Sequence, residues 1–344
     1  MAGRVSRAPS PVRHRSPAPL QAVSTDPFTV GRAGFEGWSR AAFFLALLTV
    51  GLYVYLGSRP GGIGAVGAYR LGPTILGLAA MLLLVFGLVW SLLRRPVLQR
   101  GRLAPLLALA ACVWFTSYPL AYPSSYANRP SRVAFRLPVR DGEWTVRWGG
   151  LQRAENALVL LPDRCFGYDL VRLEGSDPEE NTSLGAIVVA PADGSVVAVL
   201  GVDPASRVRT IGTALVIEVA SGQYLFLSNL DPDSFLVGTG DAVVAGQALA
   251  RVGESAASPV SPGPHLAIHL QDTPEPGWGE GIPLLFHDFV AGGRIVEQGR
   301  PTGGVQGGRC VGRRLRPGPT PPETSPERSD EPSPGAAADR AESS

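Results

Sequence analysis

The chain has 344 residues and a net charge of +2, so it lacks the basic excess of a nucleic-acid-binding protein, and nucleic acid is not expected as a partner. All 31 basic side chains are arginine, and the absence of lysine excludes a phosphate-binding P-loop. Hydrophobic residues make up 45% of the chain but crowd into its first third, which points to a membrane rather than to one evenly built core.

Residues 1–37 are rich in Arg, Pro, Ser and Ala, show no periodicity and are expected to form a disordered cytoplasmic tail in which His14 is solvated. This polar stretch is too long for the charged region of a cleaved signal peptide. Three uncharged apolar runs follow, Ala41 to Gly57, Leu71 to Leu93 and Leu103 to Tyr122, and a spanning helix needs about 20 such residues. Residues 38–122 are therefore read as an α-helical membrane region of three spans, with the lipid bilayer as partner.

Six arginines precede Ala41, and Arg94, Arg95, Arg100 and Arg102 crowd the second connection, whereas the first holds Arg59 and Arg70. The excess places the tail and the second connection in the cytoplasm and everything after Tyr122 outside, although Arg129, Arg132, Arg136 and Arg140 run against it. The expectation is a multi-pass cell-membrane protein with an extracytoplasmic C-terminal domain.

After a linker at 123–131, residues 132–296 alternate short β-type runs (VAFRLPV, EWTVRW, AIVVA, ALVIEVA, QYLFLSNL, HLAIHL) with Gly, Pro, Asn and Asp clusters, the pattern of one all-β domain. Residues 297–344 turn Gly-rich and then Pro/Ser/Glu-rich and are expected to be a disordered tail. Cys112 falls in the third span. Cys165 and Cys310 fall outside the membrane, where a disulfide can persist, and they read either as a pair or as two free thiols.

Three landmarks, FGYDL at 166–170, APADGSVVAV at 190–199 and VGTGDAVVAGQALARVGES followed by GPHLAIHL at 237–270, resemble in order the lysostaphin-type (LytM-like) zinc endopeptidases. LPVRDGEWTVRWGG at 137–150 and EGIPLLFHDF at 280–289 look like flanking segments of membrane-associated members. The resemblance implies the lysostaphin-type peptidase fold for the β domain. It also implies a zinc held by a His-x-x-x-Asp pair and the second histidine of a His-x-His strand, whose first histidine serves as general base.

Carried over by position, Asp169 matches the aspartate ligand and His265 the general base, while Cys165, Ala267 and Asn229 stand where the family has histidines. Alanine has no donor atom, so two ligand positions are lost or altered and the expected cofactor is none, with zinc only if the site is active. A rescue set of Cys165, Asp169 and His265 would supply three ligands but would consume the base. His269 shares a strand face with His265 about 13 Å away, at about 3.3 Å per residue, and reads as a packing or groove-edge residue. His287, in the closing LLFHDF segment, reads as locally bonded.

The paired hairpins also resemble a biotinyl or lipoyl carrier, which the lack of lysine excludes. Ser261, the one serine near His265, lacks nucleophile-elbow context. The reading is a peptidase-like domain that binds cell-wall peptide or regulates a cell-wall hydrolase without catalysis. The alternative is an active zinc metalloendopeptidase cleaving peptidoglycan cross-links with the altered ligand set.

Overall fold

The computed structural model describes residues 37–94, 100–173, 181–201, 211–254 and 261–319. His14, the expected N-terminal tail and the expected tail beyond residue 319 lie outside the described residues.

Three helices open the described chain: α1 (Gly37–Gly57), α2 (Gly62–Leu93) and α3 (Arg100–Ser117). They pack through Trp38, Ala42, Ala80, Leu109 and Cys112, and Gly87 is bare because a Cβ there would lie 2.8 Å from the Trp38 ring. Leu47, Val54, Leu78 and Leu82 turn outward and are exposed.

Two of the three helices, α1 and α2, are long and apolar enough to cross a membrane, and α3 is a shorter apolar helix. With 18 residues, α3 rises about 27 Å and stops at Ser117, five residues short of the expected end. Pro119 disfavours helical geometry at Tyr118, and the chain runs on irregularly to Tyr122, whose N–H bonds the Val159 carbonyl at 2.8 Å.

The domain beyond is built from strands β1 (Trp144–Trp148), β2 (Tyr168–Arg172), β3 (Ile187–Val189), β4 (Gly194–Leu200) and β5 (Ala214–Ala220). There follow β6 (Gln223–Ser228), β7 (Ala242–Val243), β8 (Ala248–Arg251), β9 (Leu266–Gln271) and β10 (Gly281–Ile282). The last are β11 (Phe286–Ala291), β12 (Arg294–Gly299), β13 (Val305–Gln306), β14 (Arg309–Cys310) and β15 (Arg314–Pro317).

Eleven strands form one sheet in the order β12-β11-β15-β1-β2-β9-β6-β5-β4-β7, with β10 paired to β9. The small β3–β8 sheet contributes Val188, Leu249 and Ala250 to the same core as Leu170, Leu215, Leu227, Leu266, Ile268 and Leu270. Along β9 the even-numbered residues 266, 268 and 270 enter this core, so the odd-numbered residues face the other way.

The expected tail from 297 is corrected as far as residue 319. β12 to β15 are folded, and β15 lies inside the sheet between β11 and β1, with Leu315 opposite Trp144 and fully buried. Glycine-rich composition concealed this because Gly303 and Gly312 are required by contact: a Cβ on either would press the β1 backbone near Trp148 and Val146.

A buried carboxylate ties the helices to this domain. Glu280 accepts from Ser125 N (2.6 Å), Ser125 Oγ (2.9 Å), Tyr122 Oη (3.2 Å) and Gly62 N (3.3 Å), so the α1–α2 turn and the linker converge on the β domain. Burial, with Glu280 beside it, pushes the Tyr122 hydroxyl well above its ordinary pKa and keeps it a donor.

Leu315→Ala is expected to cost about 2–5 kcal/mol, read from the urea midpoint of the full chain. An unchanged midpoint would show that β15 is dispensable to the fold.

Candidate functional site

Antiparallel pairing sets the site's floor. Asp169 of β2 lies opposite Ala267 of β9, and Ala267 lies opposite Ser228 of β6. Directly opposed residues point to the same face, so 169, 267 and 228 form a transverse row. Asn229 follows Ser228 at φ 65°, a left-handed conformation that asparagine tolerates, and this turns its amide toward His265.

His265 is 2% exposed and bonded at both ring nitrogens. Nδ1 lies 2.9 Å from the Gly263 carbonyl, which can only accept, and Nε2 lies 2.9 Å from Asn229 Nδ2, which can only donate. The two bonds together fit the neutral ring with its proton on Nδ1. Asp169 Oδ2 is 3.8 Å from His265 Nε2 and accepts a short bond from the buried Ser261 hydroxyl.

Ser261 was noticed in the sequence only as a failed nucleophile, and its hydroxyl in fact serves Asp169. Arg147 of β1 was not singled out. Its Nη1 donates to the Pro262 carbonyl at 2.7 Å and its Nε approaches Cys310 Sγ at 3.4 Å, which fixes the loop carrying Ser261 and His265. No short motif could have signalled an arginine held by a loop and a hairpin so distant in sequence.

The inherited positions 169, 229, 265 and 267 therefore meet, whereas Cys165 does not join them. It is buried among Val66 and Tyr122, and a Cβ on Gly281 would sit 2.8 Å from its sulfur. Burial, then the Asp163 and Glu280 carboxylates, push its thiol well above the ordinary range and so hold it protonated, the wrong form for a metal ligand. The rescue set of Cys165, Asp169 and His265 is thus not assembled. Among the described residues no group of three or more His, Cys, Asp or Glu side chains is placed to hold a metal ion.

Of the two readings of Cys165 and Cys310, the structure has two free thiols, one packed among Val66 and Tyr122 and the other beside Arg147. His287 bonds Asp288 at 2.8 Å, apart from the site row, as a locally bonded residue. His269 stacks on Phe226 with ring centroids 4.7 Å apart, and its Nε2 has no hydrogen-bond partner among the described residues.

Residues 176–276 match the family model described as Peptidase family M23. Residues 176–276 are a peptidase family M23 domain. Among solved structures the chain is similar to a zinc-containing peptidase from Vibrio cholerae, at 26% identity over 40% of this chain and 36% of that one, with a TM-score of 0.29. It is also similar to the catalytic domain of lysostaphin from Staphylococcus simulans, at 20% identity over 33% of this chain and 73% of that one, TM-score 0.25. A third is the catalytic domain of a mutant of the prophage-encoded M23 protein EnpA from Enterococcus faecalis, at 20% identity over 44% and 95%, TM-score 0.29. The chain thus spans about a third of the Vibrio cholerae peptidase's length. No curated protein matches the sequence.

Members of this family are zinc peptidases, and the M23 residues present here do not fit a catalytic zinc. Such an ion takes three protein ligands. Among the described residues the row offers Asp169 and His265 alone, with Ser261 on the first and Asn229 on the second.

Burial lowers the imidazole of His269 from 6.5 to about 3. The unfolded chain therefore takes up this proton before the folded one, so stability is full above pH 6.5 and falls as the pH drops toward 3. Between pH 6.5 and 5 wild type should lose about 1.6 kcal/mol more than His269→Phe in urea titrations, the slope rising from about 0.7 to about 1.4 kcal/mol per pH unit. Parallel losses in the two proteins would refute this assignment.

Proposed function

We propose that the protein is a membrane-anchored M23 domain that binds an extended cell-wall peptide, or a hydrolase acting on one, without cleaving it. The observation that carries this reading is the capped base. Hydrolysis needs a zinc-activated water and a free basic nitrogen, yet residue 267 is alanine and His265 Nε2 already accepts from Asn229.

Binding survives the loss of both. Ala267 is half-buried rather than sealed, and the Ser228 hydroxyl opposite it is buried without a hydrogen-bond partner among the described residues. A peptide backbone laid along the row could satisfy that hydroxyl, with main-chain bonds giving affinity and the small alanine leaving room.

The full chain should carry no more zinc than its Asp169→Ala variant when metal content is measured at neutral pH under reducing conditions. It should retain peptidoglycan stem peptides uncut, and Ala267→Arg should abolish that retention by filling the row. One zinc per chain, lost in Asp169→Ala, together with peptide cleavage would replace this reading with a catalytic one.

The anchor is proposed to place the β domain outside. The α1–α2 turn, at Gly62, touches Glu280 of the β domain, as an outside first connection requires. Alkaline carbonate should leave the chain in the membrane pellet, and protease added to intact spheroplasts should remove the β domain. Extraction by carbonate, or protection of the domain, would overturn the anchor or its orientation respectively.

A further inference from the structure

A cavity of about 450 Å³ opens between the end of α1, the third turn of α2 and the segment after α3. Its apolar lining includes Leu56, Pro73 and Leu120, and its polar lining includes Tyr53, Tyr69 and Arg70. Two tyrosines brace its walls, Tyr53 donating to the Phe115 carbonyl at 3.0 Å and Tyr69 to the Leu120 carbonyl at 2.5 Å. This volume is within the usual range for a site holding a small amphiphile.

Its depth is fixed by helix length. From Arg70 to Leu93, α2 rises about 35 Å, slightly more than a hydrocarbon core of about 30 Å, so Arg70 stands at the headgroup level on the β-domain side. Tyrosine and arginine suit that layer, where one end of a side chain is wet and the other apolar. α1 and α3 end at the same level, beside the cavity.

The mouth is positive. Asp163 lies between Arg70 (3.5 Å) and Arg164 (3.3 Å), so one buried carboxylate faces two guanidinium groups, and Arg70 remains 36% exposed. Arg153 adds a third, its Nη1 donating to the Pro119 carbonyl on the cavity wall at 3.1 Å. Glu280 is buried and its oxygens are taken up by the junction.

We propose that this cavity binds one anionic phospholipid of the leaflet facing the β domain. Its phosphate lies against Arg70 and Arg153, and the upper part of an acyl chain lies on Leu56, Pro73 and Leu120. Arginine pairs with phosphate by charge-assisted bonds that strengthen in a half-dry site, and the tyrosines close the sides. This goes beyond the peptide-binding reading and rests on the helices crossing a bilayer, which carbonate extraction tests separately.

Native mass spectrometry of the full chain, released from micelles titrated with phosphatidylglycerol, phosphatidylcholine, diacylglycerol or inorganic phosphate, tests it. A single saturable phosphatidylglycerol adduct is expected. It should weaken about tenfold or more in Arg70→Gln and in the exposed-site variant Arg153→Gln, and vanish in Thr74→Trp, which fills the cavity. If Thr74→Trp does not fold, the two arginine variants decide. Equal adducts with phosphatidylcholine or diacylglycerol, or full displacement by inorganic phosphate, would overturn the proposal. So would an adduct indifferent to the arginines.

Discussion

The antiparallel register that sets Asp169 opposite Ala267 and Ala267 opposite Ser228 governs the chemistry of this domain. A one-residue slip would turn Leu266, Ile268 and Leu270 out of the core, so the register is held by the whole apolar face of β9 and not by the polar row itself. The row can therefore lose ligands without endangering the fold.

Buried polar groups without partners destabilise by about 1–3 kcal/mol each. The site answers this internally. Asn229 caps His265, Ser261 bonds Asp169, and Arg147 pins the loop that carries two of them. The set forms a hydrogen-bonded floor, and among the described residues it does not gather three metal-ligating side chains.

The second organising feature is the junction at Glu280. One carboxylate gathers donors from the α1–α2 turn and the linker, and the Arg70–Asp163 pair adds a nearby tie. Contacts of this kind hold the domain at a set place over the helices instead of leaving it on a flexible tether. The cavity beside the helix ends arises from the same geometry, where the chain crosses over to the β domain.

Much of this was legible in the sequence. Apolar run length gave the helices, punctuation by Gly, Pro and Asp gave the β domain, and the resemblance to the lysostaphin-type endopeptidases pointed to Asp169, His265, Ala267 and Asn229, which the fold brings together. Local composition misled where contacts at long range decide: Gly303 and Gly312 look like tail residues but are close-packed sheet residues, and Pro119 ends α3 before the apolar run does. Cys165 lies only four residues from Asp169 in sequence, yet it is buried in another cluster, which no spacing rule could show. The sequence by itself determined which donor atoms exist. Tertiary structure decided which of them meet, because convergence depends on strand register and on burial against segments far away in the chain.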